Sequence, residues 1–109
     1  MNQKEKLAAR FCLGLALQTI IKGNKDAGLA GKVTSLRKLA ASSGVEYSII
    51  QKISSGKKDP QFTTLVALVE GLEMTMTEFF AYYEKISSED MAKTVSSSRK
   101  NRKDGPKEK

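Results

Sequence analysis

Histidine and tryptophan are missing from this chain, which has one cysteine and two prolines among its 109 residues. Each shortage removes some chemistry. Without histidine, imidazole-based acid–base catalysis is excluded. With a single thiol as well, Cys12, there is no ligand set for a zinc site of the usual kind. A lone cysteine forms no internal disulfide, which suits a reducing compartment. Aromatic residues make up only 6%, so a core has to be built from Leu, Ile, Val, Ala and Met. The most apolar stretch, Leu7 to Ile21, is interrupted by Arg10 and Gln18 and is too short to span a membrane. It also lacks the small-residue cleavage pattern of a signal peptide, and a cytoplasmic location is the expectation. Carboxylates are not clustered, so neither an enzyme nor a bound metal or cofactor is expected.

What is present in excess is positive charge. The formal net charge is +7. On a chain long enough for one modest core, that balance favours a polyanionic partner, either nucleic acid or an anionic membrane surface. Charge alone does not choose between them.

Apolar periodicity organises residues 1–86 into helices, and no segment reads as a strand. Leu7, Phe11 and Leu15 recur every fourth residue, with Cys12, Ile20 and Ile21 close to the same side. This spacing predicts a helix from about Lys4 to Lys22. The stripe reads either as core packing or as a partner-binding surface, and core packing is the expectation. Three glycines between Gly23 and Gly31 then predict a flexible connection. That segment fails as a phosphate-binding loop: Gly31-Lys32 supplies G-K, but Val33 stands in the Ser/Thr position and Asp26 in that of the first glycine.

Thr34 or Ser35 is placed to cap a second helix, with Leu36, Leu39 and Ala40 on its apolar side. It ends near Ser42 or Ser43, where Gly44 tolerates the left-handed backbone of a sharp stop. Val45, Ile49, Ile50 and Ile53 mark a third helix over Tyr47–Ser54, closed by Ser55-Gly56. Lys57-Lys58-Asp59-Pro60 is a basic turn. Phe62, Leu65, Val66, Leu68, Val69 and Leu72 mark a fourth helix. Thr75 and Glu78 have the spacing of a capping box. A fifth helix carries Phe79, Phe80 and Tyr83 and ends near Ile86.

Residues 87–109 form a separate segment. Beyond Val95 its one apolar residue is Pro106, so it cannot offset the entropy lost on ordering, and a disordered basic tail is expected.

Two short helices around a tight Ser42-Ser43-Gly44-Val45 turn are common as plain core packing. Here the second of them also places Tyr47, Ser48, Gln51 and Lys52 off its Ile50–Ile53 side. Hydroxyl, amide and ammonium groups are the types that reach base edges and phosphates in a major groove. The chain resembles the lambda repressor and Cro class of helix-turn-helix domains, the XRE family. The resemblance rests on Ser35, Leu36-Arg37-Lys38-Leu39-Ala40, Gly44-Val45, Ile50 and Ile53. It continues through Gly56-Lys57-Lys58-Asp59-Pro60, Leu65, Leu68, Leu72 and Glu78-Phe79-Phe80.

This resemblance implies an all-α, five-helix lambda-repressor-like DNA-binding domain over residues 1–86. It implies a double-stranded DNA partner and a homodimer on paired half-sites. Tyr47, Ser48, Gln51 and Lys52 fall where the family reads bases or adjacent phosphates. Ser55, Lys57 and Lys58 fall where it holds the backbone, and Ser35 and Arg37 fall near phosphates. Glu46 stands where the family has a Ser or Thr cap, and Ser54 where it often has Glu. Ile49 reads either as a contact to a thymine methyl or as inward packing, with packing the expectation, and Lys38 is expected to lie on a solvated face. The expected function is a sequence-specific transcriptional regulator that represses by occupying an operator. The alternative is an antitoxin-like or other protein-partner-binding module on the same fold.

Overall fold

The computed structural model describes residues 1–28 and 30–87. All regular structure among these residues is helical. The order is α1 (Gln3–Ala27), α2 (Leu36–Ser43), α3 (Tyr47–Ser54), α4 (Phe62–Gly71) and α5 (76–87). The expected tail begins at Ser87, which is still helical, and the rest of it lies outside the described residues. No helix among the described residues is long and apolar enough to cross a membrane.

α1 is longer than its apolar pattern implies at both ends. Its start is set by a capping box in which the Glu5 amide donates to Asn2 Oδ1 at 2.8 Å and the Asn2 amide donates to Glu5 Oε1 at 2.9 Å. At the other end the helix passes through Gly23 and stops at Gly28, whose φ of 64° gives the left-handed exit. The expected flexible connection is therefore helical over its first five residues. Two bonds support this extension. Lys22 and Asp26 pair at 3.0 Å one turn apart, and the Asn24 side-chain amide donates to the Val33 carbonyl at 2.9 Å.

The core joins all five helices. Leu17, Leu39, Ile50, Ile53, Leu68, Val69 and Phe79 are its largest fully buried side chains. On α1 the buried side is Leu13, Ala16, Leu17, Ile20 and Ile21. Of the expected stripe, Cys12, Ile20 and Ile21 are buried and Leu15 is half-buried, but Leu7 is 55% exposed and Phe11 52% exposed. At 3.6 residues per turn, Leu7 and Phe11 lie roughly opposite Leu13, Leu17 and Ile20. The helix carries two apolar stripes, and the rest of the protein covers only one. Phe62, read as part of the buried side of α4, is 71% exposed. Helical side chains lean toward the N-terminus, so the first residue of a helix reaches past its end.

Two glycines set how closely the helices pack. A Cβ on Gly14 would overlap the Ser54 carbonyl and lie 2.8 Å from the Ile53 carbonyl oxygen, at the end of α3. A Cβ on Gly71 would lie 2.7 Å from the Cβ of Ser43, at the end of α2. The Ser42 hydroxyl also donates to the Gly71 carbonyl at 2.9 Å, fixing the same crossing of α2 and α4.

α5 opens on the expected capping box. The Thr75 amide donates to Glu78 Oε1 at 2.8 Å, and the Glu78 amide donates to Thr75 Oγ1 at 3.1 Å. Phe79 enters the core edge-on to Phe80, with ring centres 5.4 Å apart. Burial, and secondarily the neighbouring Cys12, raise the Tyr83 phenol above its ordinary pKa.

Candidate nucleic-acid interface

α2 and α3 meet through residues 44–46. Ser35 caps α2 by accepting a bond from the Lys38 amide at 3.1 Å, and Gly44, at φ 77°, ends it. The turn is held by the Val45 amide, which donates to Ser43 Oγ at 3.1 Å. α3 then seats Ile50 and Ile53 in the core, with Ile49 half-buried as expected.

The opposite side of α3 is polar. Ser48, Gln51, Lys52 and Ser55 are exposed. Spacings of three and four residues align Ser48, Lys52 and Ser55 in one row and Tyr47 with Gln51 in the next. Tyr47 is only half-buried, and its ring lies under the guanidinium of Arg37 from α2, 4.2 Å from ring centre to Cζ. The Ser48 hydroxyl donates to Glu46 Oε1 at 2.8 Å, so Glu46 faces its own helix terminus without capping a backbone amide. Ser55 Oγ donates to the Lys52 carbonyl at 3.2 Å.

The far end of α3 closes just ahead of Lys57 and Lys58. Gly56, at φ 79°, donates its amide to the Ile53 carbonyl, and the Lys57 amide donates to the Lys52 carbonyl at 2.9 Å. This pair of bonds is a Schellman stop, in which a left-handed glycine satisfies carbonyls left over at the helix end. Lys57 and Lys58 emerge from it exposed, beside the negative end of the helix dipole. Arg37, Tyr47, Ser48, Gln51, Lys52, Ser55, Lys57 and Lys58 therefore belong to one helix, the residues that close it and the first turn of α2. Ser35 differs: its hydroxyl serves as the α2 cap. Lys38 is exposed, as expected, with its Nζ 3.0 Å from Thr34 Oγ1.

No family model, curated protein or solved structure matches this chain.

Three residues that support the surface are not among those expected to form it. Arg10 Nε donates to the Gly56 carbonyl at 3.3 Å, and the Gln18 side-chain amide donates to the Ser54 carbonyl at 2.6 Å. Gly14 lies on the helix between them and allows the backbones to touch. Arg10 and Gln18 are polar residues that interrupt the apolar stretch of α1. Polar groups at such positions signal that bare carbonyls need partners.

Glu46 is the one acidic side chain at the head of α3, and Asp59 follows the lysine pair. If this surface contacts a DNA duplex, Glu46→Gln is expected to raise affinity for any duplex roughly two- to fivefold, as one charge that repels phosphates is removed. It is also expected to lower thermal stability slightly, because a carboxylate favours a helix N-terminus by about 0.3–1 kcal/mol. Duplex titration alongside a thermal melt measures both signs, and unchanged affinity would place Glu46 away from the DNA.

Proposed function

We propose that the protein is a sequence-specific DNA-binding transcriptional regulator of the lambda repressor and Cro kind, acting as a repressor. α3 is its reading helix. The observation that carries this reading is the two-sided build of α3. Ile50 and Ile53 anchor one side, while a row of hydroxyl, amide and ammonium groups stands exposed on the other. Two bonds from α1, to the Ser54 and Gly56 carbonyls, tie down the end of that helix. The Gln51 amide carries the donor and acceptor needed for a bidentate contact to adenine. Arg37 at one end and Lys57-Lys58 at the other are placed to hold phosphates, which position the helix without reading sequence.

Selection from a randomised duplex pool, followed by titration of the winning site across salt concentrations, tests this directly. An enriched motif is expected. If about six phosphates are neutralised, log affinity should fall against log salt with a slope of roughly −5. Absence of an enriched site, or binding indifferent to salt, overturns the reading.

One observation favours a second reading, the antitoxin-like partner-binding module: Leu7 and Phe11 stand exposed one turn apart on α1, with Phe11 beside Gly56. An exposed apolar pair next to a polar surface fits a protein contact. Under that reading, Leu7→Ser/Phe11→Ser abolishes the protein's biological effect while DNA affinity persists.

A further inference from the structure

Arg37 and Tyr47 belong to different helices, and the 44–46 turn brings the guanidinium over the ring. The guanidinium lies 4.2 Å from the ring centre. A guanidinium held over a ring by cation–π attraction keeps N–H donors with which it can bond an anion at its edge. Neither ion pair among the described residues involves Arg37. Its charge therefore remains available, on a side chain whose rotamers the ring has already restricted.

Resting on the DNA-reading function above, we propose that Tyr47 is a positioning residue for Arg37. Its ring holds the guanidinium edge where a backbone phosphate meets it, and Tyr47 itself reads no base. The first residue of α3 then serves affinity, while base reading passes to Gln51 and Lys52 one turn on. Ser48 adds little to that reading, since its hydroxyl proton is already given to Glu46. Arginine suits the role better than lysine because it has both a flat face to stack and an edge that bonds phosphate through two parallel N–H groups.

The test compares wild type with Arg37→Ala, Arg37→Lys, Tyr47→Phe, Tyr47→Leu and the double variant Arg37→Ala/Tyr47→Leu. Leucine keeps apolar bulk at the half-buried position and removes the ring with its hydroxyl, the loss of the hydroxyl alone being read from Tyr47→Phe. Each protein is titrated with its selected duplex and with a scrambled one. Arg37→Ala should weaken both complexes by roughly five- to tenfold and make the salt slope shallower by about 1. Arg37→Lys should recover less than half of the lost affinity. Tyr47→Phe should stay within about twofold of wild type, because the stack needs the ring and not the hydroxyl. Tyr47→Leu should weaken both duplexes alike, and the double variant should be no weaker than Arg37→Ala alone.

A stack-specific readout needs no DNA. The Arg37 side-chain protons should be ring-current shifted in the NMR spectra of wild type and Tyr47→Phe, and unshifted in Tyr47→Leu. Strictly additive losses in the double variant overturn the positioning role alone. So does a Tyr47→Leu loss confined to the selected duplex, which would make Tyr47 a base reader. Wild type binding neither duplex overturns the DNA reading and this role together.

Discussion

Gly14→Ala is expected to lower the melting temperature by on the order of 10 °C, an unusually large effect for one methyl group on a helix. The new Cβ would meet the Ser54 and Ile53 carbonyls, which are backbone atoms with no alternative rotamer. α1 must move away from the end of α3, and overpacking of this kind costs about 1–3 kcal/mol. In a domain of this size each kcal/mol shifts the melting point by roughly 4–8 °C. The displacement would also stretch the Gln18 bond to the Ser54 carbonyl, now 2.6 Å, and the Arg10 bond to the Gly56 carbonyl. Gly23→Ala provides the control. It is the same substitution on the same helix, but its Cβ would meet nothing within 4 Å and its φ is not positive. Helix propensity then decides, and alanine should stabilise by about 0.5–1 kcal/mol. A Gly14→Ala variant that melts at or above the wild-type temperature would disprove the close approach of α1 to α3.

Gln51→Ala and Lys52→Ala are each expected to weaken binding to the selected duplex by about 1–3 kcal/mol, a factor of roughly 5–150. Both side chains are exposed on the strip opposite Ile50 and Ile53, and truncating them removes no core contact. Gln51→Ala should also narrow the gap between selected and scrambled duplex, because an amide that pairs with a base edge carries sequence information. Lys38→Ala is the comparison, as its Nζ bonds Thr34, just ahead of α2, and contacts no residue of the strip. Its affinity should remain within about twofold of wild type, the change expected for a charge outside the contact surface. Circular dichroism should show full helicity in all three variants. Undiminished binding by both the Gln51 and Lys52 variants would remove α3 from the reading role.

Local signals in the sequence determined the helices that have strong punctuation. Ser35 and Gly44 bound α2, and the run from Tyr47 to Ser54 matches α3 at both ends. Thr75 and Glu78 open α5 as their spacing requires. Caps and left-handed glycines act through bonds to residues three or four positions away, so one sequence window contains the whole cause. The all-helical class, the inward side of α3 and its polar strip follow from the same short-range pattern. Tertiary structure alone decided which apolar stripe of α1 is covered. Leu7, Phe11 and Leu15 form as regular a pattern as Leu13, Leu17 and Ile20, and burial depends on where α3, α4 and α5 lie. It also decided that α1 continues through Gly23, because the Asn24 bond to Val33 spans a reversal of the chain. The roles of Gly14, Arg10 and Gln18, and the meeting of Arg37 with Tyr47, arise between elements. Such contacts depend on the distance and crossing of two helices, and hydrophobic periodicity records only which side of each helix is apolar.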